Sequence, residues 1–199
     1  MKSVFSRGRR AAAGALTIGL LALAAGCGAD PDASLPVCDA ALCTVDDDDD
    51  AALRTTVVHA PEEDAPIFFS FAAPDSAVSA DQVDAGAWDL SFARTTIRVN
   101  GGASGEGGVE VAWQNDIGLD DVGEAPGEGW VSDGADADDL AFARSDGWYR
   151  YDLLKHVVEP RSRVYFVRTG DGTVHAMQMI SYYDHAGESR FPTFTWRTL

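Results

Sequence analysis

The sequence predicts an all-β fold, a single antiparallel domain, and four stretches carry that expectation. In Trp88–Val99 (WDLSFARTTIRV), Trp88, Leu90 and Phe92 alternate with Asp89, Ser91 and Ala93. That is the period of a half-buried strand. RVYFVRTGDGTVHAMQMISYYD, after Pro160, reads as two apolar arms, Val164 to Thr169 and Thr173 to Tyr182, around Gly170-Asp171-Gly172. Glycines at such a turn supply positive φ. IFFSF at 67–71 and WYRYD at 148–152 are short aromatic runs bounded by Pro and Gly, the punctuation of β structure.

The first 26 residues read as an export signal. Lys2, Arg7, Arg9 and Arg10 precede an apolar run from Ala11 to Ala25 that is too short for a confident membrane span. Leu23-Ala24-Ala25-Gly26-Cys27 resembles a bacterial lipobox, which implies cleavage before Cys27 and lipidation of its thiol. Gly28 in second place suits outer-membrane sorting as enteric bacteria practise it. Residues 27–54 read as a lipidated, acidic, disordered tether. Pro31, Pro36, small residues and the run Asp46–Asp50 offer nothing to bury, and adjacent carboxylates extend a chain. The run lacks the alternate spacing and turn glycine of a calcium loop. Cys38 and Cys43, in a chain exported to oxidising conditions, favour a local disulfide over free thiols.

Residues 55–199 are the expected β domain. TTVVH at 55–59 and IFFSF open it. In Trp88–Val99 the phase shifts after Ala93, so that Thr95, Ile97 and Val99 become the apolar side; a bulge or bend near Ala93 is the expected cause. The loop Asn100–Gly108 holds five glycines but has neither Gly-Lys-Ser/Thr nor GxGxxG. Its glycines are read as supplying positive φ in a wide turn. Ser104 misses G-x-S-x-G by one residue. Val109, Val111 and Trp113 return as a strand. Residues 115–147 are acidic, with apolar anchors at Leu119, Val122, Trp130, Leu140 and Phe142. Asp133, Asp136, Asp138 and Asp139 are read as solvated, and Asp138–Arg144 as a short helix. Phe194 to Trp196 closes the domain.

Charge narrows the partners. The chain is −17 overall; losing the signal removes 4 of 15 basic residues and none of the 32 acidic ones, leaving 11 against 32, or −21. A chain so acidic repels phosphate backbones, which argues against nucleic acid, and acyl chains rather than charge would hold it on a membrane.

WDLSFARTTIRVNGGASGEGG at 88–108 resembles the signature of the HmuY-like lipoproteins: a Trp-Asp pair opening a strand, an Arg, then Asn-Gly and a Ser-Gly-rich turn. IFFSF before it, and Arg-Val-Tyr-Phe-Val-Arg, Asp-Gly, Tyr-Tyr-Asp and a last aromatic strand after it, are similar to the same family in order from Thr55 to Leu199. The resemblance implies an all-β lipoprotein that binds haem through two histidines, one in the middle segment and one shortly after the strand of Trp148. No His or Met stands between Asp116 and Trp148, and His156 is the nearest match to the second. His156 is therefore the candidate haem ligand, against a solvent-facing loop histidine. His59, His175 and His185 form no metal-ligand spacing, and Met177 and Met179 read as sheet residues. No enzyme motif is found. Two functions follow from these readings. One is a lipid-anchored binding protein for haem or a porphyrin, with a possible outer-membrane receptor as partner. The other is a surface or periplasmic interaction lipoprotein that keeps the fold without haem.

Overall fold

The structure, a computed structural model, describes residue 32, residues 34–47 and residues 52–199. Cys27, the apolar run before it and most of the Asp46–Asp50 run lie outside the described residues. Eleven strands follow in order among those described: β1 Leu42–Asp46, β2 Arg54–Val58, β3 Ile67–Phe69, β4 Leu90–Ala93, β5 Thr96–Val99, β6 Glu110–Asn115, β7 Tyr149–Asp152, β8 Val157–Pro160, β9 Arg163–Arg168, β10 Val174–Tyr183 and β11 Ser189–Thr198. One short helix, α1 (Ala80–Asp84), lies between β3 and β4. The chain is all-β and antiparallel. A six-stranded sheet runs β1-β2-β11-β10-β9-β6, a three-stranded sheet β3-β4-β5, and β7-β8 form a separate hairpin.

The two larger sheets face each other across one core. Phe194 of β11 sits at its centre, 5.4 Å from the ring of Phe69 and stacked 5.5 Å from Phe92. Leu90, Ile97, Val99, Tyr165, Met177 and Trp196 complete it. Because Met177 and Met179 are buried here, they are core residues.

β9 shows why its sequence fails to alternate. Tyr165 and Val167 point into this core, while Val164 and Phe166 are buried on the opposite face. That second face is covered by the acidic middle segment, through Leu119, Val122 and the partly buried Trp130. A strand buried on both faces reads as a continuous apolar run. The segment is tied down where Leu119 N donates to Gln178 Oε1 at 3.1 Å, and where the Arg168 guanidinium lies 4.2 Å from the Trp130 ring.

Four expectations are corrected. Trp88–Val99 is a hairpin rather than one bulged strand. β4 and β5 pair with Phe92 opposite Ile97 and Ala93 opposite Thr96, and Arg94 takes a left-handed φ of 55°. The chain reverses over Arg94-Thr95, and reversal alone explains the change of phase. The segment read as tether contributes β1, whose Leu42 is buried opposite Val58. Of the acidic run, Asp46 ends β1 opposite Arg54 and Asp47 N donates to Leu53 O at 2.9 Å. Asp133 is buried, not solvated: its carboxylate accepts from Val99 N at 3.0 Å and Ala141 N at 2.8 Å. Asp138–Arg144 is no helix; a single 3-10 turn covers Ala137–Asp139.

The Gly-rich loop is also built differently from the expectation. Asn100, buried, donates from Nδ2 to Gly86 O at 2.9 Å and Trp88 O at 2.8 Å, and accepts from Gly107 N at 3.0 Å. A Cβ on Gly105 or Gly107 would collide with the Asn100 amide. These two glycines are required for close approach, and positive φ is confined to Gly102 and Gly108 within the loop.

Candidate functional site

The most conspicuous sequence signature turns out to be scaffold. Asp89 accepts from Ser70 Oγ at 2.9 Å and Phe71 N at 2.8 Å, and burial pushes its carboxyl above the ordinary value against those bonds. Trp88 packs edge-on to Phe68 at 5.1 Å. Together with Asn100, these residues fasten β3, β4 and the glycine loop to one another.

The candidate site lies beside that frame, in a cleft of about 460 Å³ between the β4–β5 turn, residues 137–147 and the start of β7. This is within the roughly 300–1,000 Å³ of small-molecule and cofactor sites. Ile97, Leu140, Phe142 and Trp148 give it apolar walls, and Tyr149, Arg150, Tyr151 and Arg161 stand on its β7–β8 side. Trp148 is fixed by its indole N–H, which donates to Thr95 O at 2.8 Å, so one wall is pinned to the other. Phe142 is held by Tyr165, 4.4 Å away.

The wall at 144–147 is gathered by one buried side chain. Ser145, Asp146 and Gly147 all have left-handed φ, at 52°, 69° and 75°. Arg163 donates to the carbonyls of Arg144, Ser145 and Gly147 at 3.3, 2.8 and 2.9 Å, and to Asn115 Oδ1 at 2.7 Å. Carbonyl oxygens converging on a guanidinium keep this turn in a conformation its residues do not favour. On the rim, Arg161 Nε donates to Asp146 O and Tyr149 O, both at 3.2 Å. Arg150 pairs with Glu159 at 2.6 Å across the β7–β8 ladder while remaining largely exposed.

His156 stands at the end of the β7–β8 turn, exposed, with φ of 57°. Its Nδ1 is 3.1 Å from Tyr151 Oη. Asp152 shapes the turn by accepting from Leu154 N at 2.8 Å and Lys155 N at 3.0 Å, which holds its carboxyl below the ordinary range. Leu153 and Leu154 are 74 % and 95 % exposed at the tip. His156 is not itself among the cleft's lining residues; Tyr151 is.

The other candidates lie apart. His175 is buried in β10, stacked 4.1 Å from Phe71, its Nδ1 3.1 Å from Thr198 Oγ1. Burial pushes its pKa down to about 4 against the weak pull of Asp171. His59 stacks on Phe191 at 4.3 Å. Among the described residues no group of three His, Cys, Asp or Glu side chains is placed to hold a metal ion. Cys38 and Cys43 have Cα atoms 6.0 Å apart, inside the range for a disulfide. Tyr151, Arg150 and Arg161 escaped the sequence reading. For Tyr151 and Arg150 the signal was the aromatic run broken by one basic residue in WYRYD, which also fits an ordinary solvated hairpin; Arg161 carried none.

The frame is all-β, and the cleft beside it is open, with aromatic walls and a basic rim. Residues 62–153 match the model of the HmuY protein family, so the resemblance read from the sequence holds, and the matched stretch takes in the signature hairpin, the cleft's middle segment and β7. No curated protein matches the sequence. Solved structures are similar in fold. A candidate HmuY-like heme binding protein of Bacteroides vulgatus has a TM-score of 0.57 at 16% identity, over 77% of this chain and 95% of its own. A candidate lipoprotein of Bacteroides fragilis scores 0.53 at 19% identity, over 77% and 94%. The apo HmuY analog of Tannerella forsythia scores 0.53 at 10% identity, over 83% and 98%.

Proposed function

We propose that this chain is an exported lipoprotein, anchored through Cys27, whose β domain captures haem or a related porphyrin in the cleft beside Trp148. On this reading residues 1–26 are the export signal, the lipidated stretch from 27 leads to the β domain, Cys38 and Cys43 close a disulfide, and the anchored protein stands at the outer membrane. The observation that carries it is the cleft: apolar and aromatic walls beside Arg150 and Arg161. Those are the surfaces a flat macrocycle with two carboxylates requires. The heme-binding description of the Bacteroides vulgatus protein supports the same reading.

Tyr149 and Tyr151 bring two phenols to the cleft and His156 stands beside it, paired with Tyr151; phenol and imidazole are both donors that haem iron accepts. No His or Met lines the cleft among the described residues, so the two-histidine arrangement implied by the resemblance has no second partner here. On this reading haem would take its protein ligand from the β7–β8 side.

The test is a haem titration of the full chain, expressed with its own signal and solubilised in detergent. A saturable shift of the Soret band is expected. Ala137→Trp, which puts a ring on the exposed wall of the cleft, is expected to weaken it at least tenfold. No saturable shift, or one that Ala137→Trp leaves untouched, removes the reading. The exposed Leu153-Leu154 tip favours a second reading, an interaction lipoprotein with a protein partner; absence of haem binding would leave that one standing. In either case Cys27→Ala is expected to release the protein from the membrane fraction.

A further inference from the structure

We propose that Tyr151, not His156, is the residue that ligates iron in this cleft, and that His156 is its positioning residue. The inference rests on the haem-capture reading and names the donor within that site. Tyr151 lines the cleft and is 48 % exposed, so its phenol is accessible to a ligand there. His156 lies outside the lining, behind Tyr151, with Nδ1 3.1 Å from the phenol oxygen.

The pairing has a chemical consequence. A neutral imidazole whose Nδ1 accepts the phenol proton makes the oxygen a stronger donor, and a phenolate is a known axial ligand of ferric haem. With ferric haem bound, Tyr151 would supply its phenol oxygen to the iron and His156 Nδ1, 3.1 Å away, would hold the phenol proton. No electron is transferred and no co-reactant is consumed.

The backbone of His156 agrees with a positioning role. A left-handed φ of 57° is tolerated by histidine but favours glycine. The turn keeps an imidazole where glycine would sit more easily. The same feature supplies a variant that should fold: His156→Gly removes the ring at a position whose backbone suits glycine.

The experiment is resonance Raman and electron paramagnetic resonance of the full chain loaded with ferric haem, with binding titrations of ferric haem and of iron-free protoporphyrin. Wild type is expected to show a high-spin ferric signal with phenolate vibrations. Tyr151→Phe should abolish those vibrations and lower ferric-haem affinity at least tenfold. His156→Gly should keep them and lose about 10- to 100-fold in affinity, the range for a partner behind a metal ligand. Iron-free protoporphyrin should bind all three alike, because it has no iron to ligate. A low-spin histidine spectrum that survives Tyr151→Phe and vanishes in His156→Gly overturns the inference while the capture reading stands. Failure of wild type to bind haem overturns both.

Discussion

The six-stranded sheet and the β7–β8 hairpin touch, with Val158 N donating to Tyr183 Oη at 2.9 Å, yet they treat apolar side chains in opposite ways. Along β9, β10 and β11, Tyr165, Phe166, Met177 and Phe194 are buried almost completely. In the hairpin, a strand of four residues carries Tyr151 into solvent and the turn after it carries Leu153 and Leu154. The sheet's central strands have a partner on each side and cover on both faces. The hairpin has only its own two strands and is moored by Trp148 at one end and Val157 at the other. A two-stranded ribbon is marginal by itself. Such an element suits a binding lip, because local opening there costs less than opening the sheet.

Mutations can break that contrast at graded cost. The largest effect is expected in the core. Phe194→Ala removes the ring that joins Phe69 to Phe92 and should cost about 3–5 kcal/mol, read as a lower urea midpoint with unchanged slope. The same probe applied to the hairpin tip defines the other end of the scale.

Asp133 comes next. It holds two backbone N–H groups, of Val99 and Ala141, and so ties the three-stranded sheet to the middle segment. Asp133→Ala orphans both and should cost about 2–6 kcal/mol, at about 1–3 for each unsatisfied buried group. Chemical denaturation reads this directly, and a loss below about 1 kcal/mol would show that water replaces the carboxylate.

His175 sharpens the comparison through pH. Its folded pKa is depressed to about 4 from an ordinary 6.5, so between these values the unfolded chain binds a proton that the fold resists. The stability is complete above pH 6.5 and declines as pH falls toward 4. The ring borders a hollow shared with Asp89 and Asp171, so the full shift is discounted for solvent, leaving on the order of 2 kcal/mol. Asp89, with its raised pKa, acts in the opposite sense from about pH 3.8 upward. A His175→Phe variant should lose the slope of unfolding free energy between pH 4.5 and 6.5. An unchanged slope would mean that other groups carry it.

The smallest effect is expected at the tip. Leu154→Ser, at a side chain 95 % exposed, should move stability by no more than about 0.5 kcal/mol. A drop of 2 kcal/mol or more in melts of the isolated chain would mean that the tip is packed in solution and that the contrast with the sheet is false.

Legibility in the sequence follows the same division. The β9–β10 hairpin was readable because its signals are local. Apolar arms flank Gly170-Asp171-Gly172, Thr169 Oγ1 and Thr173 N both donate to Asp171 Oδ1, at 2.6 and 2.9 Å, and Gly172 takes φ of 89°. The Arg94 reversal was not, because a two-residue turn of Arg and Thr carries none of the usual turn residues, and a phase shift has two geometric solutions. Asp133 was misread because spacing among aspartates cannot tell a solvated carboxylate from one that accepts buried amides.

The sequence by itself determined the all-β class, the β9–β10 hairpin and the kinship carried by Trp88, Asp89 and Asn100, since period, turn chemistry and close packing act between near neighbours in the chain. Only the tertiary structure decided the site. The cleft exists because Trp148 reaches back to Thr95 and because Arg163 collects the carbonyls of residues 144–147. The pairing of Tyr151 with His156 depends on a left-handed residue at the end of a four-residue turn. These are contacts of geometry between segments, and alternation along a strand does not encode which side chains will meet across a gap.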